Sequence, residues 1–317
     1  MEVGIGFWIA FLVFIVIMLA LDLLVFHKKD TEVKVKEALA WSAFWIALAL
    51  VFNAGIYYFY DHTKAMEFFT AYLLEKSLSV DNLFVFIMIF GFFNIQPEYQ
   101  HRILFWGIFG ALVMRAIFIF AGIALVSQFG WVMYIFGVFL IYTGVHMLFE
   151  KNEAENFDPN KNIVIRLFRK IMPVTDDMTN HVFFVRKNKI LYATPFFIVL
   201  LFIEASDLIF AVDSIPAVLS VSKDTFIVFT SNIFAILGLR SLYFALSGVM
   251  QYFYYLKYAL SGILSFIGIK MCVNEFSQEF GYNFHISNFA SLAVILISLL
   301  FAILFSVYRK DKKQIVE

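Results

Sequence analysis

The sequence predicts an all-α integral membrane protein that crosses the bilayer about nine times. Of its 317 residues, 62% are apolar and only 15% are charged, whereas a soluble globular domain is nearer half apolar and a quarter charged. The apolar residues form blocks, each close to the roughly 20 residues that a helix needs to cross about 30 Å of hydrocarbon. Short polar turns separate most of these blocks.

The blocks place nine helices in order along the chain. The first, 4–26, is interpreted as an uncleaved membrane helix rather than a signal peptide, because Glu2 precedes it in place of basic residues and no small-residue cleavage pattern follows. We expect all nine helices to form one polytopic membrane domain over residues 1–317. The other eight are expected at 40–60, 67–92, 102–126, 129–149, 192–219, 224–246, 250–271 and 286–308.

One long polar connection, 150–191, separates the fifth and sixth helices. Its segment 163–170 is basic and amphipathic, which fits a helix on the bilayer surface and equally a solvated linker. Lysine and arginine concentrate in this connection, in the loop after the first helix and in the C-terminal tail. Nine helices put all three segments on one side, so the positive-inside rule predicts an outside N-terminus, a cytoplasmic C-terminus and a cytoplasmic 150–191 loop.

Two of the helices resemble each other. Helices 3 and 6 each carry an acidic residue, four intervening positions and then Val-Asp followed by a small polar residue, and the helix that follows each contains an arginine inside an apolar stretch. Since helix 3 would run inward and helix 6 outward, we predict an inverted repeat of helices 3–5 and 6–8, which in transporters places a site at the midplane. The matching residues are Glu75 and Asp81, Asp207 and Asp213, and Arg115 and Arg240.

Six carboxyl groups are expected inside or at the edge of the membrane helices. Each charged side chain near the bilayer centre costs roughly 2.5–3.5 kcal/mol on insertion scales, so several of them indicate a function. The alternative is that they only form structural ion pairs with intramembrane basic residues, namely Arg115, Arg240, Lys76, Lys257 and Lys270. The six acidic residues are Asp22, Glu75, Asp81, Glu204, Asp207 and Asp213.

The spacing of the acidic residues limits which of them can share an ion. Glu204 and Asp207 are three residues apart and share a helical face. Asp207 and Asp213 are about 9 Å apart along a regular helix, so an unbroken helix could not aim both at one ion. Pro216 predicts a break beside Asp213 that would solve this problem.

Oxygen ligands of this kind suit a hard divalent cation, Mg²⁺, Ca²⁺ or Mn²⁺. The single cysteine, Cys272, excludes a thiolate cluster. No nucleophile–base pair, phosphate loop or metalloprotease motif is present, so we expect neither an enzyme nor a prosthetic group. The zero net charge gives no sign of nucleic-acid binding. The expected partners are the metal ion and the lipid bilayer, and the sequence identifies no protein partner.

These motifs resemble the TerC family, including its Alx-type members, which is related to the LysE transporter superfamily. The resemblance covers essentially the whole chain. It implies a bacterial inner-membrane protein of manganese homeostasis, named for tellurite resistance, and an exporter in the simplest case. It rests on the runs 75–82 (EKSLSVDN), 173–176, 183–186, 192–195, 204–217 (EASDLIFAVDSIPA), 226–232 and 238–244.

The resemblance implies metal ligands at the acidic positions of the motifs, which are Glu75, Asp81, Asp207 and Asp213. We expect Asp22 and Glu204 to be outer ligands or proton acceptors. The expected charge-balancing or supporting residues are Arg115, Arg240, Asn82, Ser214 and Asn232. Asn232, like Asn53, could supply an oxygen ligand or equally form a helix–helix hydrogen bond.

Manganese export needs an energy source, because moving a cation outward against the membrane potential costs about 2.3 kcal/mol per charge per 100 mV. Proton entry is the simplest coupling hypothesis. Two other functions stay open: a membrane scaffold that docks partners through 150–191, and a protein that delivers metal to exported enzymes. An anion fits a pocket of carboxylates poorly, so we expect any link to tellurite to be indirect.

Overall fold

The structure is a computed structural model that describes residues 4–26, 35–93, 95–149, 172–175, 182–187, 190–247, 255–282 and 284–314. These residues are almost entirely helical. The helices are α1 Ile5–Phe26, α2 Val35–Phe59, α3 His62–Phe92, α4 Pro97–Gln128, α5 Val132–Phe149, α6 Pro195–Leu219, α7 Thr225–Leu237, α8 Leu239–Leu246, α9 Leu256–Glu279 and α10 Asn288–Gln314. A hairpin of β1 Phe184–Lys187 and β2 Ile190–Ala193 precedes α6.

Each of the nine predicted helices has a counterpart, and the prediction of an α-helical membrane protein is confirmed. Within the described ranges, seven helical segments are long and apolar enough to cross a membrane. The predicted ends are less accurate. For example, α4 has 32 residues and begins at Pro97, five residues before its predicted start. Polar first and last turns of this kind extend beyond the hydrocarbon into water, where hydropathy no longer marks the helix.

Two helices differ from the prediction in where they are interrupted. The predicted break at Pro216 is wrong, because α6 continues through this residue to Leu219. Pro216 lies in the last turn of α6. Its missing N–H removes a single hydrogen bond, close to the helix end where the last carbonyl groups have no partner within the helix in any case. The interruption falls instead at Gly238, which divides the predicted helix 224–246 into α7 and α8.

Contacts between helices define two ends of the bundle. At the first, Ser222 after α6 donates to Glu67 near the start of α3 (2.6 Å), and Asn288 at the start of α10 donates to the carbonyl of Val221 (2.9 Å). A cavity of about 460 Å³ lies there, and we call this the cavity end. At the opposite end, Tyr243 of α8 donates to Gln100 of α4 (2.8 Å).

The hairpin marks this opposite end, which we call the hairpin end. Its residues lie in the predicted loop 150–191 and in the first residues predicted for helix 6, which begins at Pro195 because 190–193 pair as β2. Val174 forms a parallel bridge with Ala193, and Arg102 of α4 lies over the ring of Phe183 at 5.7 Å. The sheet therefore packs beside the first residues of α4. The predicted surface helix 163–170 lies outside the described residues.

Helix directions follow from close contacts at glycines. An added Cβ at Gly137 of α5 would meet Cys272 and Gly268 of α9, whereas one at Gly144 would meet Ser265 and the carbonyl of Ser261. Residue numbers rise along α5 as they fall along α9, so this pair is antiparallel. In contrast, α4 and α6 run in the same direction, because Gly107 of α4 faces Ile203 while Gly122 faces Leu219 and Ile215.

Candidate functional site

On α3, α4 and α6, buried polar residues form a polar layer between members of two hydrophobic clusters, one towards the cavity end and one towards the hairpin end. On α3, Leu74 belongs to the cluster of the cavity end and Leu83 to that of the hairpin end, with Glu75 and Asn82 between them. On α4, Ile108 belongs to the cluster of the hairpin end and Ile119 to that of the cavity end, with Arg115 between them. On α6, Ile203 and Ala211 belong to the same two clusters, with Asp207 between them. The three charged side chains therefore lie at the middle of the bundle.

Arg115 joins the two carboxylates of this layer. Its Nη1 donates to Glu75 Oε2 (2.5 Å), while Nη2 and Nε donate to the two oxygens of Asp207 (3.0 and 3.2 Å). The three residues are 2%, 1% and 3% exposed, respectively. Asn82 Nδ2 lies 3.4 Å from Asp207 Oδ1. A two-pronged contact of this kind matches the planar guanidinium and fixes its orientation. The sequence predicted these four residues as part of one larger site, and the structure brings these four together.

The polar run of α3 stays helical because its hydroxyls bond within the helix. Ser77 donates to the carbonyl of Leu73 and Ser79 to that of Glu75, both at 2.6 Å. Such backward bonds satisfy the hydroxyls where no water is present. Glu75 and Asn82 are seven residues apart, which places them on one face two turns from each other. Both side chains therefore point towards α4 and α6.

Glu204 lies one turn before Asp207 on α6 and faces α4 at Gly110. An added Cβ at Gly110 would overlap the carboxyl group of Glu204, so any larger residue there would require the Glu204 side chain to move. Glu204 Oε2 and Glu75 Oε1 are buried, and no side chain or backbone group in the described part of the chain donates to them. The layer thus holds two carboxylate oxygens with unused acceptor capacity.

Asp213 lies apart from this layer. It is half-buried and accepts a hydrogen bond from Thr143 of α5 at 3.3 Å. Because α6 is continuous, Asp207 and Asp213 are separated by about 9 Å along the helix axis. The expectation that a break at Pro216 lets both carboxylates reach one ion is therefore wrong. Asp213 instead belongs to the contact between α5 and α6.

The other predicted residues lie at different places in the bundle. Asp22 is in α1 and Asp81 in α3, but their side chains are outside the described part of the structure. Arg240 is buried in the first turn of α8. Ser214 and Asn232 are buried, and their side-chain polar atoms have no hydrogen-bond partner among the described residues. Among the side chains described, no group of three or more His, Cys, Asp or Glu is arranged to hold a metal ion.

The sequence interpretation missed Gly110 and Thr143. A signal for the first was present, because Gly107 and Gly110 lie on one face of an apolar helix, and small residues on such a face let a neighbouring helix approach closely. Thr143 carried no comparable signal, since a lone hydroxyl in an apolar helix usually bonds to its own backbone.

The fold and the buried charges define a multi-pass α-helical membrane protein with ionisable side chains at its centre. Residues 60–314 match the family described as Integral membrane protein TerC family, and the chain belongs to this family. An uncharacterized membrane protein of Myxococcus xanthus is 52% identical over 86% of this chain and 84% of its own length.

Two further relatives carry a provisional functional name, membrane-bound redox modulator Alx. The Salmonella typhi protein is 46% identical over 91% of this chain and 89% of its own length. The Escherichia coli K12 protein is 45% identical over 97% of both chains. Neither name denotes a specific enzyme. No solved structure matches the chain.

Proposed function

We propose that this protein exports a divalent metal ion, with Mn²⁺ as the first candidate, across the bacterial inner membrane. The observation that carries the proposal is the polar layer, in which Arg115 lies between Glu75 and Asp207 at the middle of the bundle. Ionisable groups at this depth are costly and mark ion paths in membrane proteins. Manganese is favoured over Mg²⁺ and Ca²⁺ by the resemblance of the acidic motifs to those of the TerC family.

The charges of the layer suit a divalent cation. Glu75, Glu204 and Asp207 contribute three carboxyl groups against the one guanidinium of Arg115, so the fully ionised layer carries two negative charges in excess. The unpartnered oxygens of Glu75 and Glu204 are hard donors. A cation that binds between Glu75 and Asp207 competes with Arg115 for the same oxygens. Arg115 thus limits repulsion between the carboxylates whenever the cation is elsewhere.

The directions of the helices support an inverted repeat. In such a repeat, α3 corresponds to α6, α4 to α7–α8, and α5 to α9. The contact between α4 and α6 then corresponds to the contact between α7 and α3, and both contacts are present. Since α5 and α9 correspond to each other, their antiparallel contact is its own counterpart in the repeat. By the positive-inside rule, the lysine and arginine of 27–36 and 150–191 predict a cytoplasmic hairpin end and a cavity end that faces outside. In this topology the ion travels from the polar layer to the cavity.

Outward movement of the cation against an inside-negative potential requires coupling, and proton entry onto carboxyl groups remains our hypothesis for it. Glu204 is suited to accept a proton, because it is half-buried with one unpartnered oxygen beside the layer. The redox name of the relatives does not require thiol chemistry in this chain. Exchange between a dithiol and a disulfide needs two cysteines, whereas this sequence has only Cys272, which lies against Gly137 in the α5–α9 contact.

The test is the manganese content of cells grown in excess manganese, in a strain that lacks its own exporters. We expect the wild-type chain to lower cellular manganese and Asp207→Asn to lose this effect, because the variant removes one ligand and one charge from the layer. Glu98→Gln is the matched control. Glu98 is exposed in the first turn of α4, outside the layer, so this variant should behave as the wild type.

Equal membrane levels of all three proteins must be verified by immunoblotting. If the wild type does not lower cellular manganese, the export proposal fails, and metal delivery or scaffolding becomes the better explanation. If Asp207→Asn lowers manganese as well as the wild type does, export stands but the polar layer is not its site.

A further inference from the structure

Lys270 of α9 is a buried lysine outside the polar layer. It is 1% exposed, and its Nζ donates to Asn288 Oδ1 (2.7 Å) and Ser291 Oγ (2.8 Å), both on α10. Both acceptors are uncharged. Burial disfavours the charged form of an amine, and neutral acceptors compensate this cost less than a carboxylate does. An ammonium group held in this way is poised to lose its proton when another cation comes near.

The cavity at the cavity end provides the route for such a cation. Asn288, which holds the ammonium group, lines the cavity of about 460 Å³, as does Met271, the next residue after Lys270. The Lys270 amine therefore lies directly behind the cavity wall. Carboxylates, amides and hydroxyls line the same space, among them Glu67, Glu275, Asn274 and Ser222. These are hard oxygen groups that suit a hydrated divalent cation.

Among the described residues, Lys270 has no carboxylate within salt-bridge distance, and Glu67 attracts its charge from farther away. On α3, Glu67 accepts hydrogen bonds from Lys64 (2.9 Å) and Ser222 (2.6 Å). On α9 itself, Glu275 pairs with Lys223 at 3.6 Å. The α10 side contributes the two neutral acceptors. Other titratable or charged groups of the packed elements are Tyr134 on α5, Asp213 on α6, Asp224 in the turn after α6, Cys272 and Glu279 on α9, and His285 before α10.

We propose that Lys270 is a second proton-exchanging group, besides Glu204, and that at Lys270 protons from the outer side compete with the exported metal. When a divalent cation enters the cavity, an N–H bond of the ammonium breaks and the proton passes to water in the cavity. When a proton from the outer side returns to the amine, the renewed positive charge expels the cation. This inference rests on the proposed function, because it assumes that the metal leaves through the cavity.

The experiment counts the protons released when Mn²⁺ binds to the purified full-length protein in a weakly buffered solution with a pH indicator. Lys270→Met removes the titrating amine and should release fewer protons per bound Mn²⁺ than the wild type, by up to one. Lys270→Arg keeps a permanent charge and should bind Mn²⁺ at least tenfold more weakly. A structural role alone would weaken Mn²⁺ binding in both variants, whereas proton exchange weakens binding in Lys270→Arg and lowers the proton count in Lys270→Met.

Lys257→Met is the matched control on the same helix. Lys257 lies in the first turn of α9 at the hairpin end, with its Nζ 5.6 Å from the ring centre of Tyr258, so its loss should leave the proton count unchanged. If both Lys270 variants match the wild type in proton count and affinity, the inference about Lys270 is overturned while the export proposal stands. A wild-type chain that transports Mn²⁺ but shows no proton release on binding also overturns it. A wild-type chain that neither binds nor exports Mn²⁺ overturns both proposals.

Discussion

At the scale of single residues, the polar layer combines two interpretations that the sequence alone left as alternatives. Glu75 and Asp207 were candidates either for metal ligands or for partners of buried arginines, and the structure shows them bound to Arg115. The sequence could identify these residues because charges inside apolar blocks are rare and costly. The sequence could not predict where the side chain of Asp213 points, since this depends on whether α6 is continuous at Pro216.

A double-mutant cycle measures how strongly Arg115 and Asp207 depend on each other. Arg115→Met leaves two buried carboxylates without their cation and should destabilise the protein by about 3–5 kcal/mol. Asp207→Asn in the same chain should recover part of this loss, because it removes one of the uncompensated charges. We expect a coupling energy of roughly 0.5–3 kcal/mol from reversible unfolding in detergent. Strictly additive losses would contradict the contact between these two side chains.

At the scale of helices, the sequence predicted which helices exist and their order better than it predicted where each helix ends and which helices are in contact. Apolar blocks identify membrane helices directly, but their ends lie in water, where hydropathy gives no signal. The hairpin escaped prediction because its strands have four residues each, too few to show an alternating pattern within a polar loop. Gly238 interrupts the α7–α8 element whereas Pro216 does not interrupt α6, since Pro216 lies within one turn of a helix end.

The glycines of the α5–α9 pair give a test of this contact. An added Cβ at Gly268 would lie 2.5 Å from the carbonyl oxygen of Gly137 and 2.9 Å from the backbone nitrogen of Ile141. These atoms belong to backbone and cannot move aside, so Gly268→Ala should destabilise the protein by about 1–3 kcal/mol. Gly262→Ala in the same helix is the control, because a Cβ there meets nothing within 4 Å.

Thermal unfolding in detergent should therefore separate the two variants. Gly262→Ala should unfold at or slightly above the wild-type temperature, since alanine favours the helix over glycine. Gly268→Ala should unfold below it. Equal unfolding temperatures for the two variants would show that α5 and α9 are not packed as closely as their glycines indicate.

At the scale of the whole molecule, the sequence predicted the nine helices and which charges lie between them, but not which helices pack together. In lipid, the outward face of a helix is as apolar as its packed face, so hydrophobic periodicity does not identify neighbours. The pairs α4–α6 and α5–α9 emerge only from the structure. The predicted orientation rests on loop charges, and many of these residues, such as Lys28, Lys29 and most of 150–191, lie outside the described ranges.

Labelling of single cysteines tests the orientation at the two ends of one helix. With 32 residues, α4 is about 48 Å long, which exceeds the roughly 30 Å of hydrocarbon, so both of its ends should reach water. In a Cys272→Ser background, a membrane-impermeant maleimide should label Gln128→Cys in intact cells, because this end of α4 lies at the cavity end. Glu98→Cys, at the hairpin end, should react only after the membrane is permeabilised. Both side chains are exposed, so a difference in labelling reports the side of the membrane rather than burial. The reverse pattern would place the cavity in the cytoplasm, where Lys270 would exchange protons with the cell interior and the route from the polar layer to the cavity would lead inward.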